Sequence, residues 1–308
     1  MRVIEAEEIR RLLPWDRLEA ALERMFREGC EAPLRHRHAV PGQGGEGTLL
    51  LMPAWRAGGH VGVKIVQVAP GNPARGLPAV QATYLLSDAD TGVPLALLDG
   101  GELTDRRTAA ASTLAGRYLA RPDSRRLLVL GSGRVASALA EAWSARFPIR
   151  EIAIWSPTPA NAGRLAQRLA AHGLPARAVA SPDPAGFDIV SAATLSATPL
   201  VRGADVAPGT HVDLVGAFRP AMREADGALM ARATVVVDTR AGAMAEAGDI
   251  VQAIEEGAIG PGHGAAELAE LCRGTHPGRR SAEEVTVFKS VGWAGEDLAA
   301  AVLAFETG

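Results

Sequence analysis

Residues 127–136 read LLVLGSGRVA, and this stretch decides the fold of the second half of the chain. Four apolar residues predict a short buried strand, two glycines around Ser132 predict a tight turn, and the following residues predict a helix to about residue 146. The first glycine permits the turn, and the second lets the backbone approach a pyrophosphate. Ala136 is small enough to keep helix and strand close. The free N–H groups and the positive end of such a helix attract phosphates.

We therefore predict a dinucleotide cofactor at this turn. The glycine pattern is weak alone and gains its weight from the strand–turn–helix context, so a tight turn without a ligand is the alternative. The residues expected to contact the cofactor here are Gly131, Ser132, Gly133, Arg134 and Val135.

The end of the next predicted strand bears on the type of dinucleotide. Sites that prefer NAD usually place Asp or Glu about twenty residues beyond the turn, where it binds the ribose 2′-hydroxyl. Here that strand ends Trp155-Ser156-Pro157-Thr158, without a carboxylate. Nothing repels a 2′-phosphate, and the hydroxyls of Ser156 and Thr158 can donate to it. The sequence thus gives NADP(H) a weak preference, with NAD(H) as the alternative.

Strands and helices continue to alternate after this stretch. Further apolar runs near 151–155, 177–180, 188–192, 211–215 and 234–238 are separated by helical segments, a rhythm typical of parallel βαβ units with both sheet faces covered. We predict a Rossmann-type, dinucleotide-binding α/β domain over 122–285. Thr194 follows one of these strands, at the sheet edge where ligands bind, although packing or turn formation would equally explain it.

The rest of the chain predicts a different architecture. A helical stripe over 6–28, broken by Pro14, precedes β-rich runs at 48–54, 60–69, 80–87 and 94–99, which turn residues separate. A helix from about Glu102 to Leu119 follows. We predict an α+β domain with an antiparallel or mixed sheet, formed by 1–121 and by 286–308.

Composition excludes several classes of protein. The 308 residues suffice for two domains, and 47% of them are hydrophobic, which argues against disorder. A net charge of −3 gives no reason to expect nucleic acid or a membrane surface as partner. No signal-peptide core or membrane-length apolar run is present, and the two cysteines lie far apart, so a cytoplasmic protein is expected. His36-Arg37-His38 lacks the further ligands that a metal site needs, so no metal is expected.

Four runs of sequence resemble one family. They are Val63-Lys64-Ile65-Val66, Gly76-Leu77-Pro78, the stretch from Thr91 to Gly100, and Leu103 to Ser112 with its Arg-Thr-Ala-Ala motif. Together they resemble the ornithine cyclodeaminase/mu-crystallin family of NAD(P)-dependent proteins, over about residues 3 to 305. The resemblance implies a small amino or imino acid as substrate, and a homodimer whose first domains join their sheets. An arginine-threonine pair at the head of a helix is expected to carry part of the site.

The resemblance also implies roles for single residues. Lys64 would contact the substrate, Arg35 would grip its carboxylate, and Arg107 with Thr108 would touch the cofactor phosphates or that carboxylate. A planar guanidinium suits the task because it pairs both carboxylate oxygens. Without the resemblance, Lys64 would be a solvated strand residue and Arg107 a surface ion pair. Val291 and Gly292 resemble the segment that lines the nicotinamide, although packing is the alternative.

Two departures from the family pattern matter. Members that bind NADPH tend to show Asn-Arg-Thr where this chain has Ser156, Pro157 and Thr158, so the arginine is missing; Arg164 can substitute or be solvated. Relatives that cyclise ornithine or dehydrogenate alanine carry an aspartate where this chain has Phe218, which can neither bind an amine nor transfer a proton. Asp213 is expected to point elsewhere along its strand. The segments 216–224 and 49–55 look most like the Δ1-pyrroline-2-carboxylate reductases.

The leading hypothesis is therefore an enzyme that reduces Δ1-pyrroline-2-carboxylate or Δ1-piperideine-2-carboxylate with NAD(P)H. Phe218 would cover the ring methylenes, and Lys64 or an ordered water would manage the proton. Ornithine cyclodeaminase, which makes L-proline and ammonia from L-ornithine, is the runner-up. A non-catalytic, NADPH-dependent ligand binder of the mu-crystallin kind is the third alternative.

Overall fold

A computed structural model describes residues 1–42, 45–263 and 266–308. These residues divide into two compact units, which are described separately below. The first unit contains Met1–Arg107 and Trp293–Gly308, and the second contains Thr108–Gly292. In the part of the chain described, no helix combines the length and apolar character needed to span a membrane.

The first unit contains a mixed six-stranded sheet. Its strand order is β1-β6-β5-β4-β3-β2, and only the β1–β6 pair is parallel. The strands are β1 (Arg2–Ile4), β2 (His36–Val40), β3 (Gly47–Trp55), β4 (His60–Val68), β5 (Val80–Asp88) and β6 (Pro94–Asp99). The four β-rich runs are thus confirmed as strands. The sequence analysis did not predict β1, which is very short, or β2, whose polar residues are all exposed at a sheet edge.

The helices of the first unit cover one face of this sheet. They are α1 (Ala6–Leu12), α2 (Trp15–Glu28) and α10 (Ala294–Thr307), and Pro14 separates the first two as predicted. One face of α2 buries Leu18, Leu22 and Phe26 at helical spacing. The Phe26 ring lies 4.9 Å from that of Trp293, where α10 begins. Helix α10 packs on β3, β4 and β5, so residues on its inner side meet the strand that carries Lys64.

Helix α3 (Gly100–Leu119) starts directly after β6. The side chain of Asp99 accepts the backbone N–H of Glu102 at 2.7 Å and so satisfies one free amide of the first turn. Arg107 and Thr108 consequently lie in the helix interior, and the prediction that they stand at its head was wrong. The division between the units falls between these two residues, whereas the sequence placed the domain boundary at 121/122.

The second unit contains an eight-stranded, wholly parallel sheet of order β13-β12-β14-β11-β10-β7-β8-β9. The strands are β7 (Arg126–Leu130), β8 (Glu151–Trp155), β9 (Ala176–Ala178), β10 (Ile189–Ala192), β11 (His211–Leu214), β12 (Thr234–Val237), β13 (Ala266–Glu267) and β14 (Thr286–Lys289). The helices are α4 (Arg134–Arg146), α5 (Pro159–Ala171), α6 (Gly227–Arg232), α7 (Arg240–Glu246), α8 (Gly248–Glu255) and α9 (Leu268–Arg273). This is the predicted α/β class, a parallel-sheet unit beside an α+β unit.

Strand β14 corrects the predicted limits of the first domain. The sequence interpretation assigned 286–308 to that domain, but β14 pairs with β11 and β12 inside the parallel sheet. All four of its residues are fully buried, as a central parallel strand requires. Lys289 tolerates this position because its Nζ lies 2.9 Å from Asp249 Oδ2. Only the helix after it, α10, belongs to the first unit, as expected.

The strand order of the second sheet predicts where a ligand would bind. Strand β7 is the first of this sheet along the chain, and it lies between β8 on one side and β10 on the other. The chain therefore winds in opposite directions from β7, and open parallel sheets bind ligands at the carboxyl ends of strands beside such a switch point. The residues that follow β7 and β10 are the glycine turn and Ala193-Thr194.

Candidate functional site

The turn after β7 has the backbone geometry of a dinucleotide-binding turn. Gly131 has a φ of 125°, and its N–H donates to Trp155 O at 2.8 Å. A Cβ at this position would lie 2.6 Å from Ala193 O and 3.6 Å from the Cβ of Ala136. Only glycine fits both the conformation and the space, and the small Ala136, which is fully buried, holds α4 against the strand.

The N-terminus of α4 is open to an anionic group. Gly133 is the residue before the helix, is exposed, and would meet nothing within 4 Å if it carried a Cβ. Gly133 has no side chain with which to cap this helix, and the amides of a first helical turn are donors that suit an anion. Arg134 is exposed and Val135 is half-buried beside them. The turn therefore fits the pyrophosphate of a dinucleotide.

Two serines connect this turn with the end of β8. Ser132 Oγ lies 3.0 Å from Ser156 Oγ, and Ser156 is buried. Thr158 is exposed and precedes α5 without a side-chain hydrogen bond to it. Arg164 donates to the Asn161 side chain on the exposed surface of α5. The structure thus brings Ser156 to the turn and leaves Arg164 in a local surface contact.

Thr194 follows β10, and a carboxylate that the sequence did not single out holds it. Its N–H and Oγ1 both donate to Glu224 Oε1, at 2.7 and 2.8 Å. Glu224 is fully buried, and its other oxygen accepts the N–H groups of Gly216 and Ala217 after β11. Burial raises the pKa of this carboxyl to about 7, a rise that Asp249 reinforces and Lys289 opposes. No spacing rule marks such a residue in the sequence.

A second carboxylate that the sequence analysis did not single out holds the backbone of Val291 and Gly292. Asp238 Oδ2 accepts the N–H of Val291 at 2.8 Å and that of Gly292 at 2.7 Å, and it also accepts Ser290 Oγ. Gly292 has a φ of 87°, a conformation that favours glycine. These hydrogen bonds hold the segment after β14 at the same sheet edge as the glycine turn.

Phe218 is half-buried in the loop after β11. It packs against the apolar core of the second unit, and the guanidinium carbon of Arg219 lies 5.7 Å from the centre of its ring. The carboxylates that flank it in sequence are both fully buried: Asp213 accepts Ser191 Oγ at 2.5 Å, and Glu224 holds backbone amides. Burial raises the pKa of Asp213 to about 6. Neither acid takes the place of the missing aspartate.

The first unit holds a cluster of buried charges around Lys64. Lys64 is 2% exposed and neither solvated nor on the outer sheet face. Its Nζ lies 2.8 Å from Asp297 Oδ1 and 3.3 Å from Thr104 Oγ1. Asp297, from the first turn of α10, is fully buried and was not predicted. A Glu-Asp pair at the start of an apolar helix is ordinary for a helix N-terminus, so nothing in the local sequence pattern predicted this role.

Arg107 belongs to the same cluster. Its Nε donates to Asp297 Oδ1 at 2.9 Å, and its Nη1 donates to Glu296 Oε2 at 2.5 Å. Arg107 is buried, so the alternative prediction of a surface ion pair was wrong. Arg107 does form ion pairs, but it forms them in the interior of the unit. Thr108, one residue further along α3, is also buried. Two cations and two carboxylates thus compensate each other in the interior of the unit.

This environment alters the acidity of its members. Burial, together with the charges of Arg107 and Arg35, lowers the pKa of Lys64 to about 8, and the charge of Asp297 opposes this shift. Burial would raise the pKa of Asp297, but Arg107 and Lys64 outweigh it and hold that pKa below its usual range. Arg35, half-buried before β2, is therefore close enough to act on Lys64. The structure brings together Arg35, Lys64 and Arg107.

Tyr84 completes this cluster from the neighbouring strand. It lies opposite Lys64 in the β4–β5 pair, and its fully buried hydroxyl finds no hydrogen-bond partner among the described residues. Burial, together with the charge of Asp297, raises the pKa of the phenol well above its usual value, so it stays neutral. Gly62 makes room for it, because a Cβ there would collide with the Tyr84 ring and hydroxyl.

Comparisons with known proteins agree with these features. The profile of the ornithine cyclodeaminase/mu-crystallin family matches residues 2–307. The chain is 43% identical to the Delta(1)-pyrroline-2-carboxylate reductase of Paracoccus denitrificans over 257 residues, which cover 82% of this chain and 81% of that protein.

Two solved structures are also similar. One is the structure of Thermococcus litoralis Delta(1)-pyrroline-2-carboxylate reductase in complex with NADH and L-proline, which matches this chain with a TM-score of 0.94 at 35% identity. The match covers 100% of this chain and 97% of the Thermococcus litoralis chain. The iminosuccinate reductase of Paracoccus denitrificans, in complex with NAD+, has a TM-score of 0.90 at 30% identity and covers 100% of this chain and 96% of its own. The chain belongs to the ornithine cyclodeaminase/mu-crystallin family.

Proposed function

We propose that this protein is an NAD(P)H-dependent reductase that converts a cyclic α-imino acid to the corresponding cyclic amino acid. The substrate class is Δ1-pyrroline-2-carboxylate or its six-membered homologue Δ1-piperideine-2-carboxylate. The observation that carries the proposal is the loop after β11, where an apolar ring stands and both flanking carboxylates are buried and engaged. Such a loop offers a surface for ring methylenes and no partner for the free amine of ornithine or alanine.

The cations of the first unit are suited to the carboxylate of the substrate. Lys64 and Arg107 are balanced by Glu296 and Asp297, and Arg35 adds a positive charge beside them. A guanidinium pairs both oxygens of a carboxylate, and its planar fork then fixes the plane of the imino acid. We assign the carboxylate of the substrate to Arg35, with Lys64 and Arg107 as its further cationic partners.

Reduction of a C=N bond needs a hydride at carbon and a proton at nitrogen. A bound NAD(P)H supplies the hydride. Lys64 is the proton donor in this proposal, because its Nζ is held in place by Asp297 and Thr104. With its pKa lowered to about 8, it is protonated at neutral pH and still gives up its proton readily. Asp297 keeps the ammonium oriented and stays ionised throughout.

The second unit is the cofactor-binding unit in this proposal. The amides at the start of α4 would hold the pyrophosphate, and Thr194, Val291 and Gly292 would border the nicotinamide. We propose NADPH as the preferred cofactor, because the end of β8 offers the hydroxyls of Ser156 and Thr158 and no carboxylate. The two solved relatives hold NADH and NAD+, which supports the nicotinamide dinucleotide and leaves the 2′-phosphate to experiment.

A homodimer is part of the proposal. Val63 and Ile65 alternate with the inward Lys64, so they lie on the sheet face opposite the helices, where Ile65 is 38% exposed. Edge strand β2 is exposed along its whole length. An apolar sheet face of this kind suits contact with a second copy of the chain. Light scattering should give twice the chain mass, and Ile65→Asp should give the monomer.

The test of the activity is a matched set of assays. Oxidation of NADPH and NADH is followed with Δ1-pyrroline-2-carboxylate, with Δ1-piperideine-2-carboxylate and, as an acyclic control, with iminosuccinate. Ammonia release from L-ornithine with NAD+ is measured on the same preparation. We expect turnover of a cyclic imine and no ammonia. Ammonia release would establish the cyclodeaminase instead, and cofactor binding without turnover of any of these compounds would support a ligand binder.

A further inference from the structure

Glu224 joins two loops that follow neighbouring strands. Its Oε1 accepts the N–H and the hydroxyl of Thr194, after β10, and its Oε2 accepts Gly216 N–H at 2.8 Å and Ala217 N–H at 3.2 Å, after β11. Four donors thus converge on one fully buried side chain. Phe218 directly follows Ala217 in the second of these loops. Glu224 therefore holds the backbone immediately before Phe218.

Asp249 in turn holds the backbone of Glu224, and Lys289 pairs with Asp249. Asp249, at the start of α8, accepts the N–H of Glu224 at 2.7 Å and that of Ala225 at 2.8 Å, and Lys289 lies 2.9 Å from its other oxygen. Both Asp249 and Lys289 are fully buried. Gly216 leaves the space for this arrangement, because a Cβ there would collide with the Thr194 backbone and with the Glu224 carboxylate. The two loops are therefore closely packed around the Glu224 carboxylate.

The hydrogen bonds of Glu224 favour an ionised carboxylate. Three of its partners are backbone N–H groups, which can only donate, and the fourth is the Thr194 hydroxyl. A proton on either oxygen would take an acceptor position from these donors and weaken the contact with one of the two loops. The charged groups that face Glu224 are Lys289 from β14, which favours the ionised form, and Asp249 from α8, which opposes it.

We propose that Glu224 is a positioning residue, which places Thr194 against the nicotinamide and Phe218 against the imino acid ring. The inference rests on the proposed function for the role of Phe218, and on the sheet topology for that of Thr194. Glu224 touches neither ligand in this assignment. It acts through the two loops, so its loss should weaken binding of both ligands more than it slows the chemical step.

The main test compares Glu224→Gln with Glu256→Gln. Glutamine keeps the size but turns one acceptor into a donor, which faces N–H groups of Thr194 or Gly216. Glu256 is a half-exposed acid that pairs with Arg223, the residue before Glu224, and so controls for a lost carboxylate nearby. We expect Glu224→Gln to raise KM for the imino acid about tenfold, with a smaller change in kcat, while Glu256→Gln matches the wild type.

The pH profile separates positioning from mere stability. In the wild type, KM should rise as the pH falls through about 7, because protonation of Glu224 breaks one loop contact; the rise should be absent in Glu224→Gln. If Glu224→Gln unfolds, Glu224→Asp retains the charge but is too short to reach both loops, and an intermediate KM is expected. A variant that lowers the unfolding temperature while KM and its pH profile stay wild-type would overturn the proposal.

A readout without turnover keeps this inference distinct from the proposed function. NADH affinity is titrated by fluorescence, and amide hydrogen exchange is followed in peptides that contain Thr194 and Gly216. We expect Glu224→Gln to raise the NADH dissociation constant at least about threefold and to speed exchange in both peptides. If the wild type reduces no cyclic imine but these shifts occur, the substrate assignment fails and the positioning role stands. Unchanged affinity and exchange would refute the positioning role.

Discussion

Lys64 Nζ lies 2.8 Å from Asp297 Oδ1, although 233 residues separate the two in sequence. Both side chains are buried, at 2% and 0% exposure, so neither charge is stabilised by water. The pair is held in turn by Arg107, which donates to the same aspartate. A strand in the first part of the chain therefore depends on the last helix for the counterion of its candidate catalytic residue.

Asp297→Asn should move the alkaline limb of the pH–rate profile to lower pH. The charge of Asp297 raises the pKa of Lys64, and without it burial and Arg107 would lower that pKa below about 8. The protonated lysine is the proposed acid, so kcat for imine reduction should start to fall at a lower pH than in the wild type. Glu306→Gln, on the exposed end of the same helix, is the control. An alkaline limb at the same pH in both variants would rule out Lys64 as the titrating group.

Ser156→Asp should reverse the preference for the cofactor phosphate. The new carboxylate would stand beside Ser132, where it can accept the ribose 2′-hydroxyl of NADH and repel the 2′-phosphate of NADPH. We expect the ratio of kcat/KM for NADPH to that for NADH to fall by at least about tenfold. Ser181→Asp adds the same charge at an exposed position of the second unit. Equal ratios in the two variants would contradict the proposed place of the adenosine ribose.

Phe218→Asp should reduce kcat/KM for a cyclic imine by at least about tenfold, because a charged group would face the apolar ring of the substrate. Phe218→Leu keeps an apolar side chain in the same half-buried position and should stay within about threefold of the wild type. NADH affinity, measured by fluorescence, should be alike in both variants. Full activity of the aspartate variant would remove the observation on which the substrate assignment depends.

His211→Gln should reduce the sensitivity of the fold to acid. Burial, assisted by the charge of Arg279, lowers the pKa of His211 from 6.5 to about 3. The unfolded chain binds this proton below pH 6.5 and the folded chain does not, so stability is present above 6.5 and is lost as the pH falls towards 3. The contribution to the slope is about 1.4 kcal/mol per pH unit.

Urea denaturation between pH 6.5 and 4 measures that slope, and the wild type should be steeper than His211→Gln. His172→Gln, at the exposed end of α5, should keep the slope of the wild type. If the two variants respond alike to acid, the protonation of His211 does not limit the stability of the second unit.

Gly62→Ala should destabilise the first unit by about 1–3 kcal/mol, because the added methyl group would collide with the Tyr84 ring and hydroxyl. Tyr84→Phe removes the closest atom and should restore part of the loss. Gly59→Ala, on the same hairpin, makes only ordinary contacts and should change the free energy of unfolding little. Urea denaturation of the three variants and the double variant checks these values, and a neutral Gly62→Ala would show that Tyr84 can move.

Much of the fold was predictable from local pattern. The alternation of buried strands with helices after Leu127 specifies a parallel sheet whichever way its strands are ordered, and the glycine turn marks its first strand. Strand β14 was misassigned because a buried run such as Thr286-Val287-Phe288-Lys289 fits either sheet equally well. Its neighbours lie far away in sequence, and short-range periodicity carries no information about them.

Only the cations of the candidate site were predictable from the sequence, and its buried carboxylates were not. Arg35, Lys64 and Arg107 were found through the family motif, and the structure places the two arginines close enough to lower the pKa of Lys64. Glu224, Asp238 and Asp297 were missed because each acts through backbone amides or buried cations. Contacts of that kind depend on which segments meet in space, and no residue spacing along the chain records them.

The first unit is interrupted by the whole of the second, since Trp293–Gly308 returns to it only after residues 108–292. A ribosome therefore releases Lys64 and Arg107 long before it makes Asp297 and Glu296. Until that final segment emerges, burial of Lys64 and Arg107 would leave two cations in the interior of the first unit without Asp297 and Glu296. The buried charge cluster can therefore be completed only after residues 108–292 have been translated.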